Sequence, residues 1–246
     1  MSGHSKWATI RRKKEKIDAA RGRSFSKVIK ELTIAARMGG GDQEGNPRLR
    51  QAIDAAKAAN MPAGNIERAI LKGTGDLEGV NYEEVTYEIY GPGGTALLID
   101  VTTDNRNRCV SEIRYIVSRN NGNMGESGSV NWMFQRKGII HVPLSADEDS
   151  LMLTALDAGA DDIRAEDDLF QITTPPDQLE GVRSSLLKAG FAVESATVAK
   201  IPQTYIPLGG SHARQVLRLM DALDEHDDVQ QVWCNCDIAA EILEAE

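Results

Sequence analysis

IIHVPLSADEDSLMLTALDAGADDIRAEDDLFQITTPPDQLEGVRSSLLKAGFAVESATVA, residues 139–199, changes its hydrophobic period four times. Ile139–Val142 is a short apolar run of strand type, and Asp147–Ala158 is a helical segment that begins on acidic residues. Asp162–Glu166 and Leu169–Thr173 read as two more short strands. Pro176–Ala189 reads as a second helix and Ala192–Ala199 as a final strand. The order is βαββαβ, the ferredoxin-like arrangement, and it places the chain among α+β proteins.

Outward from this block the pattern stays mixed. On the N-terminal side, Val130–Phe134 and Ile139–Val142 read as a hairpin across Arg136-Lys137-Gly138, joining the block to a preceding unit. In that unit Val85, Tyr87 and Ile89 alternate with polar residues, and Ala96–Val101 is densely apolar. Gly91-Pro92-Gly93-Gly94 connects the two as a hairpin would. A helix follows on Val110, Ile113, Ile116 and Val117, capped by Asp104 or Asn105 and closed by Asn120-Asn121-Gly122. On the C-terminal side, past Ile201-Pro202 and Ile206-Pro207, a helix spans Ser211 to about Asp224 on Val216, Leu219, Met220 and Leu223. A strand at Val229–Trp233 comes next. One helix and one strand cannot bury themselves, so they are expected to return to the Val85–Phe134 unit. The expected domains are residues 1–75, a discontinuous 76–136 plus 203–246, and an inserted, acidic 137–202.

Residues 1–75 read as helices. Between Ser24 and Arg37, Phe25, Val28, Ile29, Leu32 and Ala36 share one face, and Arg23, Lys27, Lys30 and Arg37 the other. Ile34 falls among the cations, which points to a contact with a neighbouring segment. Met38-Gly39-Gly40-Gly41 ends the helix. Asn46-Pro47 is an N-cap followed by proline, opening a helix through Leu49, Ile53 and Ala56. Pro62 opens a third on Ile66, Ala69 and Ile70, with Gly73 at its stop. The expected product is a three-helix bundle with an alanine-rich core and close helix approach.

Charge divides the chain more sharply than composition does. Overall the net charge is −9, with 41% hydrophobic and 26% charged residues, ordinary values for a globular protein. Yet residues 1–72 hold 16 Lys+Arg against 7 Asp+Glu, a net of +9, while residues 73–246 hold 12 against 30, a net of −18. A basic module for a polyanion attached to an acidic body fits that asymmetry. No apolar run approaches the ~18 residues that span a bilayer. Met1-Ser2-Gly3-His4 does not resemble a secretory signal, so a cytoplasmic location without membrane contact is expected. Cys109, Cys234 and Cys236 are an odd set; the Cys234/Cys236 pair lacks partner ligands at workable spacing, with His212 and His226 in no recognised pattern. Buried thiols are expected rather than a disulfide or a metal site.

The densest feature is GHSKWATIRRKKEK, residues 3–16, with five cations among residues 11–16. Lys6, Arg11, Arg12, Lys13, Lys14, Lys16, Arg21, Arg23, Lys27, Lys30 and Arg37 are the candidate phosphate contacts, driven by counterion release. Trp7 either stacks on an exposed base or anchors the arm as a buried residue. In Thr103-Asp104-Asn105-Arg106-Asn107-Arg108, Arg106 and Arg108 offer forks for an anion near a helix N-terminus; capping plus surface charge is the competing reading. Gly91-Pro92-Gly93-Gly94 lacks the spacing of a phosphate loop, and Gly122–Ser129 reads as a flexible connecting loop, with contact of its amides to a partner as the competing reading. The acidic runs at 147–149, 161–162 and 225–228 read as solvated faces without calcium-loop spacing. With no G-x-S-x-G, H-E-x-x-H or dinucleotide fingerprint, no catalytic residue, cofactor or small-molecule substrate is expected.

GHSKWATIRRKKEKIDAARGRSFSKVIKEL, followed by NPRLRQAIDAAKAANMP, NIERAI, YGPGG, TDNRNR and GESGSVNWMF, resembles the YebC/PmpR family nearly end to end. The resemblance implies three domains, a helical N-terminal one and two α/β ones. It also implies nucleic-acid binding without catalysis. Two roles follow from it: a DNA-binding transcriptional regulator, or a translation factor that binds ribosomal or transfer RNA at the ribosome. The expected partners are therefore nucleic acid and either the transcription machinery or the ribosome. The predicted strands of the ferredoxin-like block hold few aromatics, which speaks against base stacking on its sheet.

Overall fold

A computed structural model describes residues 21–166 and 169–239, with side chains from residue 25 onward. The chain forms two compact units, one of residues 1–131 and 205–246, the other of Trp132–Thr204. The α+β class is as the sequence periods indicate.

The first unit opens with three helices: α1 (Arg21–Gly39), α2 (Pro47–Ala58) and α3 (Ala63–Thr74). Leu32, Ala35, Ala36, Leu49, Ala52, Ile53, Ala56, Met61, Ile66 and Ala69 form their shared core, flanked by Phe25, Val28, Ile29 and Ile70. Ile34 is also buried, 3% exposed, although it falls outside the apolar face. Asn46 caps α2 by accepting from Leu49 N at 3.1 Å. Its amide also donates to the carbonyls of Ala35 at 2.7 Å and Gly40 at 2.9 Å, so one buried side chain ties the end of α1 to the start of α2. Gly73 is not the stop of α3. It is buried inside the helix, where a Cβ would run into the Thr33 carbonyl and lie 2.7 Å from Ala36 Cβ. The stop falls two residues later at Gly75, in the left-handed region at φ 89°.

The rest of this unit is a sheet with order β3-β1-β2-β9, built from β1 (Glu83–Tyr90), β2 (Ala96–Thr103), β3 (Asn123–Met124) and β9 (Val229–Cys234). Helices α4 (Arg106–Arg119) and α7 (Gly210–Asp224) share its core with Ile89, Leu97, Ile99, Val101 and Val232. Strand β9 pairs antiparallel with β2, so the C-terminal segment returns to this sheet as its amphipathic helix requires. A short parallel pair, β8 (Ile206–Leu208) with β10 (Cys236–Ile238), lies beside it. All three cysteines are free and buried. The loop after β3 is pinned rather than loose. Glu88, 7% exposed, accepts from the backbone of Gly128 at 2.5 Å, Val130 at 2.6 Å and Asn131 at 2.8 Å. Burial alone would raise the Glu88 pKa, but these hydrogen bonds outweigh it and hold the carboxyl below its ordinary value.

The second unit has the ferredoxin-like order: β4 (Phe134–Pro143), α5 (Glu148–Asp157), β5 (Asp162–Glu166), β6 (Leu169–Thr174), α6 (Leu179–Lys188) and β7 (Ser195–Pro202). The sheet order is β5-β6-β4-β7, every neighbour antiparallel. Arg136-Lys137-Gly138 is not a hairpin turn; it lies inside β4, paired with Val198, Ala199 and Lys200 of β7. Glycine is required there for space: a Cβ on Gly138 would clash with Thr174 Oγ1 and press on Leu179. Phe170 packs in the core with Ile140, Ile172 and Val182.

Candidate nucleic-acid interface

Among the described residues the cations of α1 are engaged by other groups of the protein, although Arg37 itself is exposed. Lys27 Nζ donates to the Asp224 carbonyl at 2.6 Å and lies 3.4 Å from its carboxylate. Lys30 Nζ donates to the Asp227 carbonyl at 2.8 Å and to Asp228 Oδ1 at 2.5 Å. Arg37 donates to the carbonyls of Val80 and Tyr82, both at 3.2 Å. On α2, Arg48 is held by Glu31 and Glu84, and Arg50 by the carbonyls of Gln43 and Glu44. These cations bind the bundle to itself and to the α7–β9 turn, because each meets a partner when the unit closes. Lys57, Arg68 and Lys72 remain exposed on α2 and α3. Lys6, Trp7, Arg11, Arg12, Lys13, Lys14 and Lys16 lie outside the described residues. Arg21 and Arg23 belong to the first turn of α1, and their side chains lie outside them too.

Asp228 is the hub of this junction. It is 2% exposed, and its second oxygen accepts from Thr103 Oγ1 at 2.8 Å and Arg108 Nη2 at 2.6 Å. Burial by itself would push the Asp228 carboxyl up; the hydrogen bonds from Lys30, Arg108 and Thr103 overcome that and hold it at about 2. Asn105 is the α4 cap, accepting from Arg108 N at 3.0 Å, while Asp104 pairs with the Arg108 side chain at 3.0 Å. Capping is therefore on view in this motif, and Arg108 is committed to carboxylates. The surrounding cleft, about 990 Å³, is lined by Lys30, Arg108, Tyr82 and Tyr115 together with Asp104, Glu112, Glu225, Asp227 and Asp228. Acidic walls make it a poor seat for phosphate. Arg106 is exposed.

Cys109, His226 and Asp228 bring a thiol, an imidazole nitrogen and a carboxylate within 4.8 Å of one another. The donor set does not suit a metal. Both Asp228 oxygens are taken by cations, and burial together with Asp228 pushes the Cys109 thiol up to about 12, where it holds its proton. His226 Nδ1 accepts from the Asp228 backbone at 3.1 Å, leaving Nε2 to donate to Glu112 at 3.0 Å.

Two exposed aromatics escaped the sequence reading. Tyr115 on α4 is 60% exposed; Arg119, one turn on, lies 5.7 Å from its ring centroid and donates to its hydroxyl at 2.9 Å. The i, i+4 spacing of an aromatic and an arginine was the available signal. Trp132 is 66% exposed at the head of the second unit.

Two sequence profiles match this chain: the TACO1/YebC protein N-terminal domain over residues 5–76, and the TACO1/YebC second and third domain over residues 82–236. The chain belongs to the TACO1/YebC family. Family members of similar length align from end to end. A protein from Geobacter sulfurreducens named "Probable transcriptional regulatory protein" is 55% identical over 99% of both chains. One of the same name from Desulfosudis oleivorans is 56% identical over the full length of both. The crystal structure of a conserved hypothetical protein from Aquifex aeolicus superposes with a TM-score of 0.84 at 46% identity, covering 92% of this chain and 94% of that one. The two family segments divide between α3 and β1. Among the described residues, no helix is long and apolar enough to cross a membrane.

Proposed function

We propose that this TACO1/YebC family member is a non-enzymatic, cytoplasmic regulator of gene expression that grips nucleic acid through residues 1–23. The observation that carries this reading is the charge segregation. Residues 1–23 hold eight Lys+Arg against two Asp+Glu, whereas most cations of residues 24–72 are held by the protein's own carboxylates and carbonyls. Lys6, Arg11, Arg12, Lys13, Lys14, Lys16, Arg21 and Arg23 would carry the phosphate contacts, with counterion release as the driving force and no base readout. The relatives' shared name supports a regulator of transcription acting on DNA.

A second reading places the target in RNA, at the ribosome or on transfer RNA. The exposure of Trp132 supports it, since an exposed ring stacks on unpaired bases and duplex DNA offers none. Crosslinking of the full chain to nucleic acid in cells, with sequencing of what is recovered, separates the two. Discrete positions in ribosomal or transfer RNA identify a translation factor, and a few promoter segments identify a transcriptional regulator. Recovery of neither would refute the proposal.

A further inference from the structure

The ferredoxin-like unit is acidic, yet its few cations are not scattered. Of the six Lys and Arg in residues 132–204, Arg136, Lys137 and Lys200 fall on neighbouring positions of β4 and β7, while no Asp or Glu occurs in residues 132–146 or 195–204. Lys137 pairs with Asp161 at 2.9 Å. Arg136 and Lys200 stand directly opposite one another in the antiparallel register, so their side chains leave the sheet on the same face. Two cations are thereby gathered on one face at one end of a sheet whose unit is otherwise acidic.

The location adds to the chemistry. Gly138, two residues along β4 on the same face, lies against Leu179, the first residue of α6. Arg136 and Lys200 therefore occupy the margin where the strands run out from under the helix. The first turn of α6 has no side-chain cap, and its amide dipoles add positive potential at this margin. At the same end of the sheet, Gln203 fixes the backbone beside Trp132: its Nε2 donates to the Trp132 carbonyl at 3.0 Å and its backbone N to the Met133 carbonyl at 2.8 Å. Trp132 thus presents a largely exposed ring from an anchored backbone, beyond the Phe134–Pro202 pair.

We infer that Trp132, Arg136 and Lys200 form a second nucleic-acid subsite, in which the two cations take backbone phosphate and the indole stacks on an unpaired base of a single strand. This rests on the nucleic-acid reading above and adds to it a surface in the acidic half of the chain. A cation pair with an exposed aromatic at the same end of one sheet is a combination that suits single-stranded nucleic acid, whereas duplex would satisfy the cations alone.

The test uses the full chain and a fluorescein-labelled, mixed-sequence single-stranded RNA, titrated from low to physiological salt. Wild-type protein binds, with a linear dependence of log K on log salt. The Arg136→Ala/Lys200→Ala variant is expected to lower that slope by about 1.4, from about 0.7 per phosphate contact on a single strand. Arg136→Lys/Lys200→Arg should keep the slope. Trp132→Ala should weaken binding roughly 5- to 150-fold with the slope unchanged. Quenching of intrinsic fluorescence by unlabelled RNA should shrink in Trp132→Phe relative to wild type. If the wild type binds and the three removals leave slope, affinity and quenching unaltered in folded protein, this subsite is overturned while the arm reading stands. If the wild type fails to bind RNA or DNA at any salt, the nucleic-acid reading itself falls, and this subsite with it.

Discussion

Replacing Asp228 by Asn should loosen the junction between the helical bundle and the central sheet. The carboxylate faces two cations and a hydroxyl, and is 2% exposed. An amide at that place turns an N–H₂ toward Lys30 or Arg108 and removes the charge that compensates them. Removing one partner of a buried ion pair costs about 3–5 kcal/mol. The proton linkage gives an independent figure. A carboxyl at about 2 in the folded chain, against an ordinary 3.8, contributes about 2.4 kcal/mol at 1.36 kcal/mol per pH unit. Because the folded value is depressed, that contribution is complete above about pH 5 and is lost as pH falls through 3.8 toward 2. Hydrogen exchange read by mass spectrometry is the assay, on peptides covering α1, β2 and the 225–229 turn. At pH 7 Asp228→Asn should lower the opening free energy of all three together by about 3 kcal/mol, and adding Lys30→Met should cost less than it does in wild type. A loss below about 1 kcal/mol, or one confined to the turn, would refute the reading of Asp228 as the hub.

Gly73→Ala places a methyl against the Thr33 carbonyl and Ala36, so the α1–α3 contact must open. A loss of about 1–3 kcal/mol is expected, measurable as a lowered melting temperature. Glu88→Gln removes the charged acceptor shared by Gly128, Val130 and Asn131, at a cost of about 1.5–3 kcal/mol. Residues 125–131 should then become the preferred site of limited proteolysis at pH 7, whereas the wild-type loop should resist until pH falls through the lowered Glu88 pKa, below 4.5. Arg11→Glu/Arg12→Glu/Lys13→Glu/Lys14→Glu should abolish nucleic-acid binding at physiological salt, read by filter binding; unchanged binding by the folded variant would eliminate the arm as the grip.

Most elements were legible because helix and strand periods reflect which side chains leave water, a local property of the chain. The βαββαβ order, the cap at Asn46, a cap at Asp104 or Asn105, and the return of the 211–233 segment to the central sheet all follow from such patterns, and the structure settles the second cap on Asn105. The Arg136-Lys137-Gly138 stretch misled for a matching reason. Two charges and a glycine carry the signature of a turn, and only the proximity of Thr174 and Leu179 explains why β4 continues through them. Gly73 misled likewise, since a helix stop and a close helix crossing both call for glycine.

The candidate site was legible as charge and illegible as availability. Sequence alone determined that the basic residues concentrate before residue 73 and that α1 carries cations on one face. Tertiary structure decided which of them are engaged within the protein. The partners of Lys27 and Lys30 lie 197 and 198 residues away in the chain, and no local period carries information across that separation. Charge is written residue by residue, but its compensation depends on which surfaces meet when the chain closes. The same closure commits Lys30 and Arg108 to Asp228, and sets Arg136 beside Lys200 at a margin that the acidic composition of the unit conceals.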